Sequence, residues 1–416
     1  MPTTDRRSAI ILNIDGLRTG MLGPYGNTWF DTPSFNRFAA DSIVYQQCIA
    51  QTPNPDLAYQ SMLTGQHPAA LMQGDQGDSA NVLPDLQDDT IFLTDRPALP
   101  AAGIEDLFDR VIQVGQPHPA TELVDSVEQA TIARFFAESI DWIQNHPDAS
   151  LFWLDCQGLF GSWDAPYRFR ALSVDPDDPD APTLCDPPSA QFNAKSDDPD
   201  QLLGCQQAYA GQVMLLDQCL GVLLEELENF NRLHRTLVCI YSSSGYPLGE
   251  HGVVGCYRPI LNSESIHVPL MIRWPGSSLA AIRDHNLVHP GILPSVLRAW
   301  FEAEAPDLNT RELFQLHQCF SDLVPNKKTQ AIFSICDSSS HRLEALQTHA
   351  WKLIRGNGTR LYVRPDDIWE VNDIHSRCMD VTRSLEALMD SGIQRLNSGK
   401  PFLGEPLADE LAFGVE

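Results

Sequence analysis

The chain has 416 residues, 43% of them apolar and 20% charged, an ordinary globular composition that excludes a fibrous repeat or a fully disordered chain. Lys and Arg number 28 against 55 Asp and Glu, a formal charge of −27, and no Lys/Arg cluster relieves it. Nucleic acid and anionic membranes would be repelled, so neither is an expected partner.

The opening MPTTDRRSAIILNIDG sets two arginines before a short apolar run. Asn13 and Asp15 interrupt that run, so it reads as a buried strand over Ile10–Ile14 and not as a secretory leader. No stretch reaches the roughly 18 apolar residues of a membrane span. The spacing of Phe35, Phe38 and Ala39 predicts a helix over Pro33–Asp41. Strands follow at Ile43–Ile49 and Thr90–Thr94. An amphipathic helix is expected within Glu122–Asn145, with Phe135, Phe136, Ile140 and Ile143 on one side. Leu151–Leu154 reads as a buried strand. Leu202–Phe230 is the longest helical pattern, with Val213, Leu216, Leu220 and Leu224 in its stripe. Leu237–Tyr241 and Val268–Arg273 read as further strands. Apolar strands alternating with helices predict an α/β fold: a largely parallel central sheet flanked by helices. Ligands in such sheets sit beyond the carboxyl ends of the strands. Asp15 and Ser242–Gly245 fall there.

Ser173–Gln201 is dense in Asp and Pro and predicts a long surface loop with neither strand nor helix. A calcium site is the alternative, but the spacing does not match an EF-hand loop. Beyond Pro325 the pattern changes. Thr329–Cys336, Thr348–Arg355 and Thr359–Val363 predict short antiparallel strands, with Gly356-Asn357-Gly358 as a hairpin turn. Thr382–Ser391 closes as a helix. The expected division is an α/β domain over 1–325 and a small C-terminal α+β subdomain over 326–416. The ten cysteines (48, 156, 185, 205, 219, 239, 256, 319, 336, 378) form no C-x-x-C or zinc spacing. They read as reduced core thiols of a cytoplasmic protein.

Taken together and in order, NIDGLRTGMLGPYGN, DTPSFNRFAADSIVYQQCIAQTP, SMLTGQHP, LGEHG, ESIHVPLMIRWPG and THAWKLIRG…RLYVRPDD resemble the type I sulfatases of the alkaline-phosphatase superfamily. The resemblance runs from residue 9 to about 390 and implies the alkaline-phosphatase/sulfatase-like fold. It also implies a calcium ion held by an Asp-Asp pair after the first strand and an Asp-His or Asp-Asn pair after a later one. The nucleophile would be a formylglycine made from Cys in C-x-P-x-R, with Arg, Lys and His around the sulfate.

Carried over position by position, the first Asp matches Asp15 and the second Gly16; the later pair falls on Ser243 and Ser244. The nucleophile position is Pro55, its Arg position Tyr59, and the Lys after LGEHG is Cys256. The G-K-W-H-x-G region appears as TIFLTDRPAL, without Lys or His. Asp155 and Ser162 stand where a catalytic His is sought. The resemblance therefore implies a degenerate member: catalytic residues none intact, Asp15 the residual metal position, Glu250 and His251 in the cleft.

Other readings stay open. Cys48, Asp56, Thr52 or Ser243 are substitute nucleophiles to weigh. Asp15 is a strand-end cap or a metal ligand. Glu250 and His251 are structural or a catalytic pair. Trp163 is packing or a sugar platform. Arg18 and Arg258 are the only nearby cations that sequence order suggests. The expected function is an inactive, pseudo-sulfatase protein that binds or scaffolds, its partner a small molecule or protein at the former cleft, with no cofactor. The alternative is a sulfate- or phosphate-ester hydrolase with a rearranged site and calcium.

Overall fold

The computed structural model describes residues 6–73, 82–86, 89–115, 120–191, 197–256, 259–275, 279–302, 330–337 and 342–414. The 325/326 boundary, Arg258, Cys319 and Thr329 lie outside these residues.

Strand β1 (Ser8–Ile14) is buried along its whole length, as its run SAIILNI requires. It is flanked by parallel β5 (Leu151–Cys156) and parallel β6 (Thr236–Tyr241). Strands β2 (Ile43–Cys48), β3 (Thr90–Thr94), β4 (Arg110–Gln113), β7 (Leu270–Arg273) and β8 (Ile282–Val288) complete an eight-stranded sheet of order β8-β2-β7-β6-β1-β5-β3-β4. All its pairings are parallel except those of β7, which runs antiparallel to β2 and β6. This is the α/β, largely parallel sheet the sequence predicts.

Helices α1 (Pro33–Ala40), α3 (Thr131–Asn145) and the long α4 (Pro199–Asn229) contribute Phe35, Phe135 and Leu216 to one hydrophobic core. The other core takes Tyr59 and Met62 from α2 (Pro55–Thr64) and Val296 from α5 (Leu293–Glu302). A second, antiparallel sheet has the order β9-β10-β11-β12: Ile332–Asp337, Arg342–Gln347, Trp351–Gly356 and Gly358–Val363. Gly356 and Gly358 face each other across the expected hairpin turn. Helix α6 (Met379–Leu396) buries Leu385 and Met389 against this sheet, extending the expected Thr382–Ser391 by a turn at its start and more at its end.

The expectation for Ser173–Gln201 needs correction at its end. Ala190–Gln191 pairs antiparallel with Val253–Val254, and Pro199 opens α4 after Asp198, whose carboxylate accepts the Asp200 amide. The rest of the described loop is tied down by Arg170, which donates to the carbonyls of Trp163 (2.6 Å), Leu184 (2.7 Å) and Pro182. Among the described residues no helix is long and apolar enough to cross a membrane.

Candidate functional site

The register of the central sheet places the site. Asn13 of β1 stands opposite Asp155 of β5 and Tyr241 of β6, and Thr94 of β3 is opposite Asp155. Their polar side chains thus form one row at the carboxyl ends of four adjacent strands, where an open parallel sheet presents its site.

At the centre of this row is Arg96, two residues past β3. Its Nη2 donates to Asp15 Oδ2, its Nε to Asp155 Oδ2 at 2.8 Å, and its Nη1 lies 3.7 Å from Asp56. The two carboxylates are tied further. Asn13 Nδ2 donates to Asp15 Oδ1 at 2.9 Å and to Asp155 Oδ1 at 3.0 Å. The Ser243 hydroxyl donates to Asp15 Oδ1, and the Ser243 amide to Asn13 Oδ1 at 3.0 Å. Tyr59 donates to Asp155 Oδ1 at 2.7 Å and Thr94 to Oδ2 at 2.9 Å. Burial and the neighbouring Asp155 charge push the Tyr59 phenol well above its ordinary range, so it remains a donor. Asp15 and Asp155 are 0% exposed, Ser243 2% and Arg96 6%. The cavity that reaches Ser243 has a volume of about 20 Å³, room for about one water.

The expected cations need correction. Arg18 is buried and paired with Glu250 at 2.5 Å, so it is no free clamp for an anion. Sequence order missed Arg96, which the register brings to the centre. The signal was present: an Asp-Arg pair directly after an apolar strand, at the sheet's ligand edge.

The other positions are equally specific. Pro55 is the first residue of α2, with Asn54 as N-cap accepting the Leu57 amide at 3.2 Å, a helix start that proline favours. Gly16 has φ +74°, and a Cβ there would stand 2.9 Å from the Phe160 ring. A second aspartate does not fit without displacing that ring. Ser242 donates to the Ser244 carbonyl at 2.6 Å, so its hydroxyl closes the turn after β6. The Ser244 hydroxyl is buried without a partner. Cys256 packs half-buried against the core, and Cys48 is fully buried, its thiol pushed up by desolvation. Thr52 is buried and accepts the Asn54 amide at 3.3 Å. Ser162 accepts the Ala120 amide at 3.3 Å. Trp163 is fully buried, donates to the Leu159 carbonyl at 2.8 Å and meets Tyr209 edge-on; a sugar platform is thereby excluded. Asp56 remains exposed on the first turn of α2, its carboxyl raised by burial and by Asp155.

Glu250 and His251 do not form a pair with each other. Burial raises Glu250, but the Arg18 charge outweighs it and holds the carboxyl below its usual range. The His251 Nδ1 meets Glu264 at 2.6 Å and its Nε2 donates to the Glu370 carbonyl at 3.2 Å. Burial lowers this imidazole, yet Glu264 and Glu370 together raise it above its ordinary value.

These residues do not fit a calcium ion. Calcium takes six to eight oxygens, mostly carboxylates. Here both oxygens of Asp15 are engaged, the other three positions that the resemblance makes ligands hold Gly16, Ser243 and Ser244, and a guanidinium lies against the carboxylates. Among the described residues no group of three or more His, Cys, Asp or Glu side chains is placed to hold a metal.

Comparison with known proteins fits this architecture. A sequence model of the sulfatase family matches residues 115–300. A multifunctional alkaline phosphatase superfamily protein, PehA of Trinickia caryophylli, is 27% identical over 111 residues. That match covers 26% of this chain and only 21% of the relative. Among solved structures, phosphonate monoester hydrolase of Agrobacterium radiobacter superimposes with a TM-score of 0.67 at 14% identity, covering 96% of each chain. A protein of Bacteroides fragilis assigned as a sulfatase gives 0.69 at 16% identity, covering 97% of this chain and 98% of that one. A third, solved with its substrate D-glucosamine-2-N,6-O-disulfate, gives 0.69 at 14%, covering 96% and 100%. The fold is shared end to end with these structures, and residues 115–300 match the sulfatase family model.

Proposed function

We propose that this sulfatase-fold protein has no ester-hydrolase activity and acts by binding. The observation that carries the reading is the closure of the Asp15 cluster: its carboxylates are fully buried and the adjoining cavity is about 20 Å³. A sulfate ester needs both a reachable nucleophile and converging donors in a site it can enter. Pro55 offers no nucleophile, and the donors that remain point at Asp15 and Asp155.

A binding role has more room elsewhere. A cavity of about 480 Å³ opens at the far end of α2, between Ser61, His67 and His289 and the C-terminal residues Phe333 and Phe402, within the range of small-molecule sites. We therefore assign the partner, a small molecule or a protein segment, to this cavity and not to the Asp15 cluster. The buried Cys48, Cys156, Cys185, Cys219, Cys239 and Cys336 are free thiols, the state a reducing compartment maintains, and a cytoplasmic location is part of the proposal.

The test is turnover of an aryl sulfate, a phosphate monoester and a phosphonate monoester, each with added calcium or manganese. The expected result is no release above a heat-denatured control. Pro55→Cys alone should not restore it, because the family's metal ligands at positions 16, 243 and 244 and its Arg at position 59 would still be missing and such groups act concertedly. Ester cleavage by the wild type that Asp15→Asn abolishes would overturn the reading and establish the hydrolase alternative.

A further inference from the structure

The Asp15 cluster poses an electrostatic problem that, among the described residues, Arg96 solves. Asp15 and Asp155 come from adjacent strands and share one donor, Asn13 Nδ2, at 2.9 and 3.0 Å. Their Oδ1 atoms therefore lie within about 6 Å of each other, close enough for strong mutual repulsion away from water. Both side chains are 0% exposed. Arg96 spans them with Nη2 on one carboxylate and Nε on the other. The remaining contacts to the two carboxylates are neutral donors: Asn13, Tyr59, Thr94 and Ser243. Apart from the guanidinium and the Asn13 amide, the groups facing this point are oxygens: the two buried carboxylates, the exposed Asp56 carboxylate 3.7 Å from Arg96 Nη1, and the hydroxyls of Tyr59, Thr94 and Ser243. With the guanidinium in place these oxygens hold no metal, but without it the two carboxylates would face each other across an oxygen-lined gap of the kind a hard divalent cation fills.

We infer that Arg96 is a built-in counter-ion standing where a divalent cation would otherwise be needed, and that removing its charge opens a cation site on Asp15 and Asp155. The inference explains why three metal-ligand positions can be Gly16, Ser243 and Ser244 while the strand ends still hold together. A guanidinium neutralises one carboxylate charge and satisfies oxygens on both strands, so fewer anionic ligands are required. It rests on the reading of this cluster as structural. Its test follows stability and metal uptake without turnover, so a hydrolase activity would end that reading without deciding this one.

The experiment compares the full-length wild type, Arg96→Lys and Arg96→Gln by thermal unfolding and equilibrium dialysis, with and without millimolar calcium or manganese. The wild type should take up no stoichiometric metal and show no metal-dependent Tm. Arg96→Lys keeps the charge and should also be insensitive. Arg96→Gln should melt lower, regain roughly 5 °C or more with metal and bind about one ion per chain, an ion lost on adding Asp15→Asn. If Arg96→Gln yields no folded protein without metal, Arg96→Gln/Asp155→Asn decides: with the repulsion removed it must fold. A wild type that binds calcium as Arg96→Gln does would overturn the inference. So would a folded Arg96→Gln that binds no metal, or a double variant no better than Arg96→Gln.

Discussion

At the ends of β1, β3 and β5 one arginine faces two buried carboxylates; where the small sheet meets the large one, a single buried carboxylate faces two cations. There Glu370 accepts from Lys352 at 2.6 Å and lies 3.8 Å from Arg364. Asn262 donates to it at 2.8 Å and Ser263 donates as well. Burial would raise the Glu370 carboxyl, but Lys352 and Arg364 hold it below the usual range. The first cluster is therefore one cation short, and its single cation has no substitute. The second has a cation in reserve. The contrast separates the ligand edge of the central sheet, where carboxylates from two strands converge on one cation, from a packing junction that holds two sheets together.

Removing the cation should expose that difference most strongly. Arg96→Met leaves two uncompensated buried carboxylates and should cost about 3–5 kcal/mol. Lys352→Met leaves Glu370 with Arg364, Asn262 and Ser263, and should cost about 2 kcal/mol less. Urea unfolding of the two variants at neutral pH measures both. An equal loss would show that the reserve cation contributes nothing and would break the comparison.

A second difference lies in acid. His267 donates from Nε2 to the Gln46 carbonyl at 2.9 Å. Burial, aided by the Arg364 charge, pulls its pKa down to about 4; His67 and His289 are lowered to about 4 by burial too. The unfolded chain titrates near 6.5 and so binds more protons in this window. Stability from each neutral imidazole is present above about pH 6.5 and lost as pH falls toward 4. For His267 the loss should be on the order of 3 kcal/mol. The neutral carboxamide of His267→Gln retains a donor, so its unfolding midpoint should fall less steeply than the wild type's between pH 6.5 and 4. Parallel slopes would refute the assignment.

The sheet edge can also be challenged by restoring what the family pattern has there. Gly16→Asp puts back a carboxylate but forces an L side chain into φ +74° against the Phe160 ring. The expected cost is about 1–2 kcal/mol, with no metal uptake while Arg96 remains. Calorimetry with calcium checks the second point and the unfolding midpoint the first. A variant as stable as wild type would mean that Phe160 moves freely and that the position was never closed.

These contrasts were unevenly legible in the sequence. Strands buried on both faces announce themselves: Thr90–Thr94 is found as expected, and Thr236–Tyr241 differs by one residue. Ile282–Val288, reading IRDHNLV, and Arg342–Gln347, reading RLEALQ, carry charges through the strand and gave no apolar run. They were missed because pairing partners, not their own composition, make them strands. Asp15, Ser243 and Pro55 were placed by motif order. The link from Arg96 to Asp15 spans 81 positions in the chain and depends on the order β1-β5-β3, which no local pattern encodes. In the sequence Tyr59 stands only as a position without arginine; its bond to Asp155 depends on the placement of α2 over the sheet.

The smallest expected effect concerns His251, which bridges the loop after β6 to the C-terminal unit through Glu264 and the Glu370 carbonyl. Its sign is opposite to that of His267. Burial disfavours its charged form, but the two glutamates more than compensate, and its pKa is raised. A raised pKa means that the folded state binds the extra proton. The contribution is complete below the unfolded value near 6.5 and disappears as pH rises through the folded value. The side chain is partly open, at 17% exposure, so solvent screening should keep the effect at about 1 kcal/mol or less. His251→Gln keeps a donor for the Glu370 carbonyl but has no charge for Glu264. Its stability deficit relative to wild type should therefore be larger at pH 5.5 than at pH 8. The acid loss from His267 acts in the same samples with the reverse sign, and the difference between His251→Gln and wild type cancels it. A deficit that is constant with pH would mean His251 is neutral in the folded protein, and that Glu264 is held by a hydrogen bond alone.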